Sequence, residues 1–98
     1  MSVRPATLAG DWYSGNQSQL EAQISKYFDK CKHITPVAGA RILIGPHAGY
    51  TYSGARIAET FASWDSTKVK RVFILGPSHH VYFKGKALVS KYGHYATP

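Results

Sequence analysis

The sequence predicts an α/β fold: a βαβ-type, mostly parallel sheet with flanking helices. Three observations predict it. Two short apolar runs, Arg41 to Ile44 and Val72 to Leu75, each end in Gly-Pro, at Gly45-Pro46 and Gly76-Pro77. Apolar residues at helical spacing lie between the two runs, and a second amphipathic segment precedes the first. A strand, a helix long enough to cross over and a second strand make a parallel, right-handed unit.

Each element follows from local pattern. Met1 to Gly15 has no clear period, and Trp12 and Tyr13 beside Gly10, Ser14 and Gly15 read as a turn-rich approach. Ser18 followed by Glu21 has capping-box spacing, with Asn16 as the alternative cap. Leu20, Ile24, Tyr27, Phe28 and Cys31 then form one apolar stripe on a helix of about four turns. Lys26, Lys30 and Lys32 lie towards its end, where cations suit the helix dipole. Pro36 and Gly39 make a linker. Ile42, Leu43 and Ile44 read as a strand buried on both faces. A second helix follows, with Ser53 as its expected N-cap. Ile57, Ala58, Phe61, Ala62 and Trp64 form its buried face, and Asp65 and Ser66 close it. Val72 to Leu75 repeats the first strand, and Ala87 to Ser90 is a candidate third.

Composition narrows the class. The chain has 98 residues, of which 44% are hydrophobic and 17% charged. That balance is globular rather than disordered. The net charge is +7, which suits an anionic partner. The basic residues are scattered, however. Their densest cluster is Lys68, Lys70 and Arg71, so no nucleic-acid footprint is expected. A single cysteine, Cys31, excludes an intramolecular disulfide and fits a reducing compartment. The N-terminus has no basic segment followed by an apolar run, and no stretch approaches membrane-spanning length.

The chemistry concentrates where the two apolar runs end. His47 follows Gly45-Pro46, and His79 and His80 follow Gly76-Pro77-Ser78. Proline removes a ladder donor and stops the strand. Each histidine then emerges past the carboxyl end of its strand, where open α/β sheets hold ligands. Imidazole suits Zn, Cu, Fe and Ni. Two histidines need at least a third ligand, and no HxxxH, CxxC or HExxH spacing supplies one. Either histidine alone would as readily be a hydrogen-bonded structural residue. Their matched positions favour a site. His80 has two readings, orienting His79 or acting as an acid or base. Tyr50 and Tyr52 either pack on the helix start or wall a ligand cleft. Ser53-Gly54 at a helix start is a weak anion site, without a Walker or GxGxxG pattern. Ser78 lacks the GxSxG elbow of an activated nucleophile. His33 and His94 are assigned to solvent.

Three segments carry a family resemblance: Ala9-Gly10-Asp11-Trp12-Tyr13; Pro46-His47-Ala48-Gly49-Tyr50-Thr51-Tyr52-Ser53-Gly54; and Phe73-Ile74-Leu75-Gly76-Pro77-Ser78-His79-His80. In order and spacing, over nearly the whole chain, they resemble the signatures of the Memo family (mediators of ErbB2-driven cell motility). That family is similar in fold to class III extradiol dioxygenases. The resemblance implies metal ligation by His47 and His79, and a pocket lined by Trp12 and Tyr52 that is linked to phosphotyrosine peptides. It implies copper or iron as cofactor, redox chemistry and a role in cell motility or redox signalling. Family members run far past Pro98, and their remaining pocket residues, including a cysteine ligand, lie there. Cys31 does not match that cysteine, so the third ligand is expected outside this chain.

Several expectations follow. Two or three parallel strands with two helices leave raw edges and uncovered faces. Residues 1–98 therefore read as the N-terminal part of one larger Memo-like domain, incomplete at the C-terminus. A small complete domain or an edge-hiding dimer is the alternative. The functional readings are a metal-dependent oxidoreductase, with His80 as its proton-transfer residue and a small-molecule substrate, or a non-catalytic phosphopeptide-binding or scaffold module. Cytoplasm, with the nucleus as a second compartment, is the expected location.

Overall fold

The computed structural model describes residues 2–98. Its elements in chain order are β1 (Val3–Arg4), α1 (Gln17–Asp29), α2 (Tyr50–Ala62) and β2 (His94–Tyr95). β1 and β2 run parallel, with Val3 opposite His94 and Arg4 opposite Tyr95. The class is α/β with parallel pairing, as expected. The paired strands are not those the apolar runs predict.

The β1–β2 pair joins the two ends of the chain. The backbone N–H groups of Gly93 and His94 both donate to the Ser2 carbonyl at 3.1 Å, and Ala96 N–H donates to the Arg4 carbonyl at 2.9 Å. The Arg4 guanidinium lies 5.4 Å from the Tyr95 ring centroid, a cation–π contact on the exposed face. His94, expected as a solvated tail residue, is exposed but ordered within β2.

α1 starts at the alternative cap. Asn16 has the extended backbone a cap requires, and its Oδ1 accepts the Gln19 N–H at 3.0 Å. Ser18 is already helical, and its hydroxyl donates to Asn16 Oδ1 at 2.7 Å. The Ser18 cap is therefore corrected to Asn16. The expected stripe does face the partner helix: Ile24, Tyr27 and Phe28 meet Ile57, Ala58 and Phe61 across a narrow apolar groove. Cys31 is buried just beyond α1, its thiol 3.4 Å from the Tyr27 carbonyl.

α2 begins three residues before the expected cap, at Tyr50, and its N-cap is Gly49. Ser53 is buried inside the first turns. The helix ends at Ala62 with Ser63 as C-cap, ahead of Asp65 and Ser66. Val37 N–H donates to the Ser63 carbonyl at 2.8 Å, so the linker is pinned to the exit of α2. Trp64 lies past the helix and meets the Phe61 ring edge-on, with centroids 6.1 Å apart.

The larger correction concerns the three apolar runs. Residues 41–44, 72–75 and 87–90 are not strands, and none of them makes a backbone–backbone hydrogen bond among the described residues. Apart from half-buried Leu43, their side chains stand in solvent: Ile42 is 83% exposed, Phe73 85%, Leu75 89% and Val89 93%. A strand exists only as part of a ladder, and a strand apolar on both faces needs cover on both. Among the described residues nothing supplies the ladder or the cover. The runs keep the composition of buried strands without the burial. The βαβ crossover is thus present in sequence order only, with α2 as its one formed element.

Candidate functional site

The site is assembled around the start of α2. Residues 8–13 fold as a tight turn in which Gly10 N–H donates to the Tyr13 carbonyl at 2.7 Å, and Gly10 takes φ +87°. This turn docks on the helix end. Tyr50 N–H, one of the donors a helix start leaves without an internal partner, donates to the Trp12 carbonyl at 2.8 Å. The approach is close enough to restrict Gly49, where an added Cβ would lie 3.3 Å from the Trp12 oxygen and 3.5 Å from its Cα. The docked turn sets the Trp12 ring beside the His47 imidazole, with centroids 5.2 Å apart and planes 59° apart.

Ser53 fixes the same loop from inside α2. Its hydroxyl donates to the Ala48 carbonyl at 2.8 Å and lies 3.1 Å from that of Gly49. In the second loop the Ser78 hydroxyl donates to the Val81 carbonyl at 2.6 Å, bracing the turn that carries His79 and His80. Ser78 is therefore engaged as a turn residue.

The two loops meet. His47 Nε2 and His79 Nε2 are 3.0 Å apart across 32 positions of sequence. The rings lie within 15° of parallel, and their centroids are 5.2 Å apart. That separation is close to the longest a 3.0 Å Nε2 contact allows, so the rings meet end to end rather than face to face. One imidazole then donates an N–H and the other accepts in its neutral ring. Two nitrogens of a metal with bonds of ~2.0–2.1 Å would lie about 2.9 Å apart at a right angle and about 3.3 Å apart at a tetrahedral one. The observed spacing matches a neighbouring ligand pair. The lone pairs point along the line between the nitrogens, so each ring must swing off that line before both could address one ion.

Of the residues singled out from sequence, His47, His79 and Trp12 come together. His80 and Tyr52 do not join them: neither makes a side-chain hydrogen bond or a ring contact among the described residues, and Tyr52 is 86% exposed. Tyr50 instead packs its ring against Tyr13, with centroids 5.6 Å apart. No group of three or more His, Cys, Asp or Glu side chains placed to hold a metal occurs among the described residues. Sequence reasoning missed Gly49 as the helix cap and Ser53 as the brace of the His47 loop. The signal was available, because Gly is an accepted cap and stands directly before the helical run.

A profile of the family described as Memo-like protein matches residues 4–98. The chain belongs to the Memo family. The MEMO1 family protein MHO1 of Saccharomyces cerevisiae is 50% identical over 99 residues, covering 100% of this chain and 29% of its own length. Protein MEMO1 of Danio rerio is 47% identical over 81 residues, 83% of this chain and 27% of the relative. The memo-1 homolog of Caenorhabditis elegans is 46% identical over 92 residues, 92% of this chain and 26% of the relative. The chain thus spans less than a third of the length of these Memo relatives. No helix among its described residues is long and apolar enough to cross a membrane.

Proposed function

We propose that this Memo-family chain carries two of the ligands of a mononuclear copper or iron centre in a redox protein. The observation that supports this reading is the 3.0 Å approach of His47 Nε2 to His79 Nε2 at the ends of two Gly-Pro loops. The donor chemistry fits, since imidazole is a ligand for both copper and iron. The set is incomplete, so a third ligand comes from residues outside this chain. A metal held this way would supply an open coordination position for dioxygen or a small-molecule substrate. The chain's own residues hold the two imidazoles in reach of each other, and His80, one position beyond His79, is the candidate for proton transfer.

The exposed runs 41–44, 72–75 and 87–90 belong to the same reading. They become strands when the remainder of a Memo-length domain supplies the ladder and the cover, in a fold of the extradiol-dioxygenase type. Such a protein would act in the cytoplasm and nucleus, in cell motility or redox signalling.

Metal retention tests the reading. A Memo-length protein that includes residues 1–98 and its His47→Ala/His79→Ala variant are loaded anaerobically with Cu(I) or Fe(II), dialysed and assayed for bound metal. Retention near one equivalent, lost in the double variant, is the expected result. Equal retention in both chains overturns it.

A second reading is favoured by a specific feature. An open cleft of about 550 Å³ beside Trp12 is lined by Tyr13, Ser14, Gln19 and Lys26, with one carboxylate, Asp11, at its wall. Its hydroxyl, amide and ammonium donors, within a positive overall field, suit a phosphotyrosine peptide. Such binding would weaken with salt and survive a chelator. A phosphopeptide titration with and without chelator separates it from the metal reading.

A further inference from the structure

We infer that Trp12 is a positioning residue for the histidine pair: its ring holds His47 in the orientation that presents Nε2 to His79. The inference rests on reading His47 and His79 as the site, and it assigns Trp12 a task other than touching a ligand. Three observations carry it.

His47 is exposed, so burial does not fix its ring. The ring–ring and hydrogen-bond partners of that imidazole among the described residues are two: Trp12 at one side and His79 at its Nε2 end. An exposed imidazole turns freely about its side-chain bonds unless a neighbour removes some of its rotamers. Trp12 is the larger of the two neighbours.

Trp12 is itself held by backbone rather than by its ring. Its carbonyl accepts the Tyr50 N–H at 2.8 Å, and its backbone lies against Gly49, where a Cβ would be 3.3 Å from the Trp12 oxygen. The Ala9–Tyr13 bridge closes the turn that presents it. The indole is therefore anchored to the same helix end from which the His47 loop departs. His47 is set from both directions: Ser53 ties the Ala48 carbonyl to α2, and Trp12 limits the ring.

The described ring contacts pair Trp12 with His47 and His47 with His79, but not Trp12 with His79. The ring-to-ring route from Trp12 to His79 therefore runs through His47. This makes the test discriminating. The ring nitrogens of ¹⁵N-labelled 98-residue chain are recorded at one fixed pH for the parent, Trp12→Ala, Trp12→Phe, Trp12→Leu and His47→Ala. His79 signals in Trp12→Ala are expected to move to their positions in His47→Ala. Trp12→Phe, which keeps a flat ring, should retain the parent positions. Trp12→Leu, which keeps apolar bulk without the ring face, should behave as Trp12→Ala and decides the matter if the alanine variant loses helical circular dichroism. Parent-like His79 signals in a helical Trp12→Ala or Trp12→Leu chain overturn the inference. So does a parent whose His79 signals already match those of His47→Ala. If this pattern is seen and a Memo-length protein retains no copper or iron, the metal proposal falls and the positioning role stands.

Discussion

Gly54 in α2 lies directly against the ring of Tyr27 in α1. A Cβ at position 54 would overlap Tyr27 Cε2 and come within 2.8 Å of Cζ and 3.0 Å of Cδ2. The ring cannot simply swing away, because its hydroxyl donates to the Tyr50 carbonyl at 2.9 Å. Glycine inside a helix ordinarily costs about 1 kcal/mol relative to alanine. Here it is what permits the two helices to approach.

Gly54→Ala should therefore destabilise the chain although it raises helix propensity. Overpacking of this kind costs about 1–3 kcal/mol. A lower urea midpoint is the expected result, and a higher one would show that α1 and α2 separate easily.

Tyr27→Phe tests the polar end of the same contact. It removes the bond to the Tyr50 carbonyl and the one Tyr27 accepts from Gln23 Nε2 at 3.3 Å. A loss of about 0.5–1.5 kcal/mol is expected from equilibrium unfolding.

The two candidate caps of α1 give opposite expectations. Asn16→Ala should cost about 1 kcal/mol and fray the first turn, because Oδ1 accepts the Gln19 N–H. Ser18→Ala should cost far less. Amide exchange at Gln19 reads the difference directly.

Ser53→Ala removes the hydroxyl that binds the Ala48 carbonyl from a buried position. A cost of about 1 kcal/mol is expected. The His47 loop should loosen with it, so metal retention should fall in this variant more than in Ser18→Ala.

Asp65 supplies a prediction in pH. The Thr67 hydroxyl, and then the Thr67 N–H, donate to its carboxylate and hold it below the ordinary carboxylate value. A group depressed in the folded state contributes stability above its unfolded value and loses that contribution as pH falls through the folded one. Thr67→Val keeps the N–H and removes the hydroxyl, so the Asp65 midpoint should rise. A carboxyl-carbon NMR titration measures it.

The sequence made the helices legible because their pattern is carried by local residues. Ile24, Tyr27 and Phe28 on α1, and Ile57, Ala58 and Phe61 on α2, face one another as their spacing predicts. The convergence of His47 and His79 was legible from two matched Gly-Pro endings. The expected strands failed for a non-local reason. Ile42 to Ile44 and Val72 to Leu75 have strand composition, but pairing depends on neighbours absent from the described chain. β1 and β2 went unseen for the opposite reason: Val3-Arg4 and His94-Tyr95 are too short for any period to show. The docking of Trp12 on Tyr50 is a backbone contact, which no side-chain pattern announces.

The β1–β2 pair is a clasp that shuts almost the whole chain into a ring. The Gly93 N–H reaches the Ser2 hydroxyl across 91 positions. Closing a flexible loop of that length costs about 4 kcal/mol in chain entropy, against a few hydrogen bonds at the clasp. The clasp holds because one covalent chain keeps its halves at a high local concentration. A single protease cut in the exposed stretch 66–71 would end that advantage. The piece bearing α1, α2 and His47 would keep its helix contact, and the piece bearing His79 and β2 would drift off, so one nick would part the two histidines without disturbing either helix.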